Sequence, residues 1–343
     1  MPPLRVPFLM WSLEELGRVR SNGRKVFSTF ACGGGSSMGY KLAGYEVVGH
    51  CEIDPRLAEM YRVNHHPRYS FTMDIRELVR LPELPEELYQ LDILDGSPPC
   101  SVFSVAGQRE KGWGLSKQFR EGQAVQTLDD LFFEFIALAD RLKPKVVVAE
   151  NVKGLIKGNA RGYVHEILVR LAAAGYAVQM FCLNAARMGV AQRRGRVFFI
   201  GHRNDLDMPP LKLDFREEPI PFGKVRSAVG TPVSGWAAAL LREKTAADMA
   251  MGDINQRLYG KPSSYNSPIA WDNRVAPTIT AGGSFYRAFD NLGFSDSDFM
   301  ECQTFPHDYD FCGESVQFVC GMSVPPLMMR RIAEEIERQW FKK

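Results

Sequence analysis

Cys100 ends the run Gly96-Ser97-Pro98-Pro99-Cys100, which follows the apolar segment 91–95. Two prolines fix φ along the approach, so a thiol placed after them is held in one direction. Such a thiol is a capable nucleophile once a nearby positive group favours the thiolate. The alternative is a small buried hydrophobe, the assignment expected for Cys32, Cys51, Cys182, Cys302, Cys312 and Cys320. Glu150-Asn151-Val152 closes a second apolar run. A carboxyl group there can donate a proton to a ring nitrogen, or simply cap a following helix. Gln192-Arg193-Arg194-Gly195-Arg196 precedes a third apolar run. Arg194 and Arg196 point to the same side if a strand contains both, and their planar forks suit an anionic base, a phosphate or a carboxylate. A solvated basic face is the alternative.

A fourth cluster has binding rather than reacting character. Phe30-Ala31-Cys32-Gly33-Gly34-Gly35 lies between a strand pattern and a helix pattern. Glycines there allow a tight turn and let a ligand approach main-chain amides. Glu52, about twenty residues on at the end of the next apolar run, is placed to accept hydrogen bonds from ribose hydroxyls, with Asp74 as a further contact to an adenine. A dinucleotide would want GxGxxG, which Cys32-Gly33-Gly34-Gly35-Ser36-Ser37 does not spell. An adenosine ligand without phosphates fits as well.

The elements that must position these groups alternate. Strand patterns cover 25–30, 45–51, 91–95, 144–149, 177–183 and 197–201, with helix patterns near 36–43, 55–64, 127–142 and 163–174. Apolar residues recur at helical spacing in the last two. This alternation predicts βαβ units and an α/β fold with a mostly parallel, Rossmann-like sheet covered by helices on both faces. Ligands of such sheets bind outside the carboxyl ends of the strands, where Cys100 and Glu150 fall, while Gln192–Arg196 stands immediately before a strand. Ser12-Leu13-Glu14-Glu15 fits a capping box in the N-terminal extension 1–24. Residues 25–202 read as the catalytic and cofactor-binding domain. From 203 to 273 the rhythm breaks into Pro, Gly, Ser and Asn, with one helix pattern at 236–250, which marks a smaller lobe. Residues 274–343 return to the first domain and end in a helix running from Pro325-Pro326 to about Trp340.

The 343 residues are 45% hydrophobic and 24% charged, which excludes a disordered, collagen-like or coiled-coil chain. No apolar run reaches the roughly 18 residues of a membrane span. Arg5 and the early prolines argue against a signal peptide. Seven cysteines, an odd number without a CxxC pair, point to reduced thiols inside a cell, in a cytoplasmic protein, rather than to a disulfide framework. A net charge of +2 supplies no general field for nucleic acid, so any such partner must meet locally placed basic residues.

Taken together, the clusters resemble the cytosine-C5 DNA methyltransferase family over nearly the whole chain, except 1–24 and 203–273. Phe30 to Gly35 is similar to the family's methionine-side loop for S-adenosylmethionine, Glu52 to its ribose-binding acid and Asp74 to its adenine contact. Pro99-Cys100 resembles the nucleophile motif, Glu150-Asn151-Val152 the Glu-Asn-Val motif and Gln192-x-Arg194-x-Arg196 the Gln-x-Arg-x-Arg motif. Arg274-x-x-Pro277-Thr278 is similar to the segment that closes the target-recognition region. Glu301-x-x-x-Phe305-Pro306 and Gly321-Met322-Ser323-Val324-Pro325-Pro326 resemble the last block, whose helix packs beside the cofactor. Met322 stands where the family has Asn, and Ser101 where Gln is common. The stretch from Cys100 to Thr127, with Arg109, Lys111, Lys117 and Arg120, looks like the mobile catalytic loop.

The resemblance implies S-adenosylmethionine as cofactor, with S-adenosylhomocysteine as product and no metal. Cofactor contacts would come from Phe30, Gly33, Gly35, Glu52, Ile53, Asp74, Ile75, Pro98, Ser323 and Val324. Cys100, Glu150, Arg194 and Arg196 would be catalytic, and Pro99, Ser104, Asn151, Val152, Gln192, Arg274 and Thr278 would meet substrate. Cys100 would add to cytosine C6, with Glu150 at N3 and Arg194 near O2, on a base flipped out of duplex DNA. Residues 203–273 would read flanking bases, with Asn255, Gln256, Arg257, Asn266 and Asn273 as candidates by side-chain type. A monomer is expected, with any cognate restriction endonuclease acting separately and no membrane partner. A tRNA cytosine-C5 methyltransferase shares the Ser-Pro-Pro-Cys sequence, but the Cys-Phe-Thr of the eukaryotic RNA enzymes is absent. A non-catalytic subunit would not need every reacting residue, and a nicotinamide dehydrogenase would leave Cys100, Glu150 and Arg194 as coincidences.

Overall fold

A computed structural model of the chain describes residues 11–99, 130–156, 161–260 and 266–342. In chain order its elements are α1 (Leu13–Leu16), β1 (Lys25–Thr29), α2 (Gly35–Leu42), β2 (Glu46–Glu52), α3 (Pro55–His65), β3 (Tyr69–Thr72), α4 (Ile75–Arg80) and β4 (Ile93–Gly96). Then come α5 (Leu131–Leu142), β5 (Val146–Val152), α6 (Arg161–Ala173), β6 (Tyr176–Asn184) and β7 (Gly195–Arg203). Beyond them lie α7 (Gly235–Arg242), α8 (Met251–Tyr259), β8 (Ile269–Ala270), β9 (Tyr286–Arg287), α9 (Asp296–Gln303), α10 (Val316–Met322) and α11 (Pro326–Ile336).

Seven strands form one sheet in the order β3-β2-β1-β4-β5-β7-β6. The pairs β1–β2, β2–β3, β1–β4 and β4–β5 are parallel, whereas β7 runs antiparallel to β5. This is the expected α/β, mostly parallel, Rossmann-like sheet. Apolar strands such as Ile93-Leu94 and Val146-Val147-Val148 are buried on both faces because helices cover them, as a parallel sheet requires. One packed core joins Phe27, Leu94 and Val147 of the strands to Phe132, Phe135 and Leu138 of α5.

Local chemistry sets the element ends. Asp54 caps α3 by accepting from the amides of Arg56 (2.9 Å) and Leu57 (3.4 Å), with Pro55 at the first helical position. Sequence reading misses β3 and α4. β3 alternates half-buried and exposed residues at a sheet edge, so it lacks an apolar run. The single helix expected over 236–250 is interrupted and the chain forms α7 and α8 instead. Asp248 accepts from the amide (2.7 Å) and hydroxyl (2.9 Å) of Thr245, a local turn that competes with helical bonding.

The chain divides into two compact units. The larger holds residues 16–183, 195–214 and 329–343, and with them the sheet. The smaller holds 1–15, 184–194 and 215–328, so the return segment 274–343 is shared between the two. A second core in the smaller unit packs Leu240, Leu241, Met251, Ile254, Ile269 and Tyr286. Among the described residues, no helix is long and apolar enough to cross a membrane.

A stack of rings lies inside the larger unit. His50 of β2 stacks on Tyr61 of α3 at 3.9 Å with the planes 12° apart, and Tyr61 meets His65 at 4.3 Å. Burial pushes His50 down to about 3 and holds His65 well below the ordinary histidine range. Both rings therefore enter the fold neutral, while in the unfolded chain they take up protons below about pH 6.5. The unfolded state binds more protons there, so stability is lost as pH falls through that value. The unfolding temperature should drop as pH goes from about 7 to about 5, and His50→Gln should flatten part of that drop in a calorimetric scan. An unchanged slope would remove His50 as a contributor.

Candidate active site

The carboxyl ends of β1, β2, β4 and β5 carry the expected groups to one edge of the sheet. After β1 the backbone turns through left-handed conformations at Phe30 (φ 53°), Cys32 (φ 46°) and Gly34 (φ 70°) before α2 begins at Gly35. Gly34 has a second reason to be glycine, because a Cβ there would run into the His65 ring. Glu52, at the end of β2, bridges this loop to the next one. Its carboxylate accepts from the amides of Cys32 (2.8 Å) and Asp54 (3.0 Å). Burial pushes the Glu52 carboxyl above its ordinary range, while those amides pull it back. An acid held in this way beside a glycine turn fits the ribose of an adenosine ligand. Ile53 follows it, half-buried. Asp74 caps α4 through the Arg76 amide (2.8 Å) and pairs with the Arg76 guanidinium (2.9 Å), and the adjacent Ile75 is buried.

Pro98 is buried and Pro99 half-buried at the end of the β4 strand run. Cys100, Ser104 and the whole stretch from Cys100 to Thr127 expected to form the mobile catalytic loop lie outside the described residues. The neighbouring strand ties directly to what precedes them, since Asn151 Nδ2 donates to the carbonyl of Pro98 at 3.1 Å. Asn151 also accepts from the amide of Val152 at 2.9 Å. The Glu-Asn-Val segment and Pro98 are thus held together by one buried side chain.

β5 and β7 are paired with Val152 opposite Arg196 and Glu150 opposite Phe198. Glu150 is therefore the diagonal neighbour of Arg196 on the same face, within reach of a long side chain. Arg196 Nε meets Glu150 Oε1 at 2.7 Å, and both side chains are nearly buried. Low solvent access around such a pair reduces screening and fixes the carboxylate's direction.

Arg194 has different partners. β7 begins at Gly195, so the condition for Arg194 and Arg196 to share a strand face is not met. In the smaller unit the buried Arg194 guanidinium donates to the carbonyls of Ile279 (2.9 Å), Gly321 (2.9 Å) and Ser323 (2.8 Å). Gln192 is fully buried beside it, donating to Cys302 O at 2.9 Å and to Gln303 and accepting from the Ile279 amide at 3.1 Å. Gln303 Nε2 reaches Ser323 O at 2.7 Å, and Thr278 Oγ1 donates to Arg193 O. Gly321 lies against the backbone of Thr280 and Ala281, where a Cβ would collide. Sequence reading missed this bracing role; a signal was available in two polar residues flanked by Val190-Ala191, a buried context that demands partners.

Of the remaining expected residues, Ser323 and Val324 are buried in the smaller unit. Met322, in place of the family's Asn, is about half exposed. Arg274 donates to Ala246 O at 2.8 Å and stacks over Trp271. Arg257 pairs with the buried Asp248 at 2.9 Å, a structural partner for a residue suggested by type as a base reader. Among the described residues no group of acids, histidines and cysteines could hold a metal ion.

Residues 24–230 match the model of the C-5 cytosine-specific DNA methylases. The chain is 35% identical over 269 residues to the type II methyltransferase M.FnuDI of Fusobacterium nucleatum, covering 76% of this chain and 71% of that one. It is 33% identical over 191 residues to the type II methyltransferase M.NgoPII of Neisseria gonorrhoeae, a match that spans 54% of this chain and only half of that relative's length. Among solved structures, a prophage-encoded E. coli chain superposes with a TM-score of 0.69 at 17% identity, covering 93% of this chain and all of that one.

Removing the Arg194 side chain would leave buried carbonyls without donors. Arg194→Ala should lower stability by about 2–4 kcal/mol in urea titrations, with Arg194→Lys falling between it and the unsubstituted protein. Equal midpoints for all three proteins would show that the bracing is not energetically significant.

Proposed function

The chain belongs to the C-5 cytosine-specific DNA methylase family, and on that premise we propose that it transfers a methyl group from S-adenosylmethionine to C5 of a cytosine in a specific duplex DNA sequence, yielding S-adenosylhomocysteine. The observation that carries this reading is the ion pair of Glu150 with Arg196, beside an asparagine that anchors the segment leading to Cys100. S-adenosylmethionine, when bound, supplies the methyl group as an electrophile. The chain's own residues do the rest. The turn at Phe30, Gly33 and Gly35 would take the methionine part, Glu52 and Ile53 the ribose, and Asp74 and Ile75 the adenine. Pro98, Ser323 and Val324 would complete the cofactor contacts.

Cytosine C5 is a weak nucleophile until the ring loses its aromaticity. The Cys100 thiolate forms an Sγ–C6 bond, which moves electron density onto C5. Glu150, steadied by Arg196 through Oε1, holds a proton at ring N3 and so stabilises the adduct. The positive charge near O2, expected of Arg194, is assigned here to Arg196, because Arg194 is committed to backbone carbonyls. After methylation a base, in this reading water, takes the C5 proton, the Sγ–C6 bond breaks and the thiolate leaves. In this reading the base is turned out of the stack, since C6 of a stacked cytosine is closed to a side-chain nucleophile.

Residues 203–273, with Arg274 and Thr278 behind them, are assigned to flanking-base recognition, and Pro99, Ser104, Asn151, Val152 and Gln192 to shaping the substrate pocket. The protein is assigned a cytoplasmic, monomeric role, with any restriction endonuclease acting separately.

Cys100→Ser should abolish methyl transfer while leaving S-adenosylmethionine binding by calorimetry within about twofold, because a hydroxyl does not ionise near neutral pH. Turnover close to that of the unsubstituted protein would remove Cys100 from the mechanism.

A further inference from the structure

Asp95 lies in the middle of the sheet and is 2% exposed. Its position in β4 is directly beside Ser28 of β1 and Val148 of β5. Ser28 Oγ donates to its Oδ2 at 3.0 Å and the Tyr40 hydroxyl of α2 to its Oδ1 at 3.3 Å. Ser36, at the start of α2, also faces it. The two elements that grip this carboxyl, β1 and α2, are the two that flank the glycine turn 30–34. Among the described residues, no lysine or arginine pairs with Asp95. The other ionisable groups that face it are Tyr40 of α2, Tyr61 of α3 and Glu150 of β5, none of them a cation. A buried carboxyl without a counter-ion is costly to ionise, and the sheet offers it none.

We propose that Asp95 is the buried counter-charge for the cofactor's sulfonium, a positioning residue that makes the pocket favour the positively charged methyl donor over its neutral thioether product. The inference rests on the cofactor reading above. Burial pushes the Asp95 carboxyl up to about 7, the Ser28 and Tyr40 hydroxyls pull it back, and the Glu150 charge raises it further. Near neutral pH the carboxyl is therefore partly protonated in the free protein. A cation held at the turn above it favours the ionised form, so binding expels a proton; a neutral thioether exerts no such pull. By linkage, affinity for the charged donor must rise with pH through this range, while affinity for the product must not. After methyl transfer the same carboxyl regains its proton and no longer favours the ligand that remains.

Calorimetry with S-adenosylmethionine and with S-adenosylhomocysteine, in buffers of different ionisation enthalpy, reads the protons directly. The difference between the unsubstituted protein and Asp95→Asn cancels protons belonging to the ligands themselves. The unsubstituted protein should release a fraction of a proton more than Asp95→Asn on binding the sulfonium compound, and no more on binding the thioether. For a one-unit shift of the Asp95 midpoint, the affinity ratio of donor to product should grow about fivefold between about pH 6 and pH 8 in the unsubstituted protein and stay flat in Asp95→Asn. If Asp95→Asn does not fold, Ser28→Ala carries the test, because losing a donor to the carboxylate should move the proton-release step to higher pH. Equal proton release for both ligands, or a pH-dependent ratio that survives in Asp95→Asn or does not move in Ser28→Ala, overturns the proposal. Failure of both ligands to bind would instead overturn the cofactor reading, and this inference with it.

Discussion

Parallel pairing imposes the constraint on which the site depends. When β1, β2, β4 and β5 run side by side in one direction, all their carboxyl ends open on one edge. The glycine turn, Glu52, the Pro98-Pro99 segment and Glu150 are distant in sequence, and the register places each at that edge. A slip of one residue would turn every side chain to the opposite face, so the double burial of these strands also protects the chemistry. Ser28 beside Asp95, and Asp95 beside Val148 with Glu150 two residues beyond, are direct products of that register.

The antiparallel pairing of β7 with β5 has its own consequence. Because β7 returns against β5, the residue at its start lies beside the residues at the end of β5. Arg196 can therefore reach Glu150, which a further parallel strand starting at the opposite edge would not allow. Gln192 and Arg194, only a few residues earlier, belong to the smaller unit and brace its segments around Ile279 and Ser323. One short motif thus serves two kinds of work, ionic at Arg196 and architectural at Gln192 and Arg194.

Much of this was legible in the amino-acid order. Apolar runs such as Val146-Val147-Val148 announce buried strands because nothing else suits six consecutive buried positions, and amphipathic spacing in 131–142 announces α5. Glu52 was legible because a carboxylate one βα unit beyond a glycine turn has few other uses. The edge strand β3 was not, since half its residues face solvent and leave no periodic apolar signal. The break between α7 and α8 depends on hydrogen bonds donated by Thr245 to the Asp248 carboxylate, a choice between local turn and helix that hydrophobic spacing does not register. The separate roles of Arg194 and Arg196 turn on where β7 begins, a matter of a single residue. Asp95 reads in sequence as the second aspartate of the run 91–95, and only the sheet register reveals that it has hydroxyl donors and, among the described residues, no cation.

The function turns on which atom is methylated. Purified protein incubated with S-adenosylmethionine and a plasmid of known sequence, followed by nuclease digestion, mass spectrometry of the nucleosides and bisulfite sequencing, measures it directly. The expected product is 5-methylcytosine confined to cytosines within one short recurring sequence. Methyl groups found instead on the exocyclic nitrogen of cytosine or adenine, or on RNA but not on the plasmid, would contradict it.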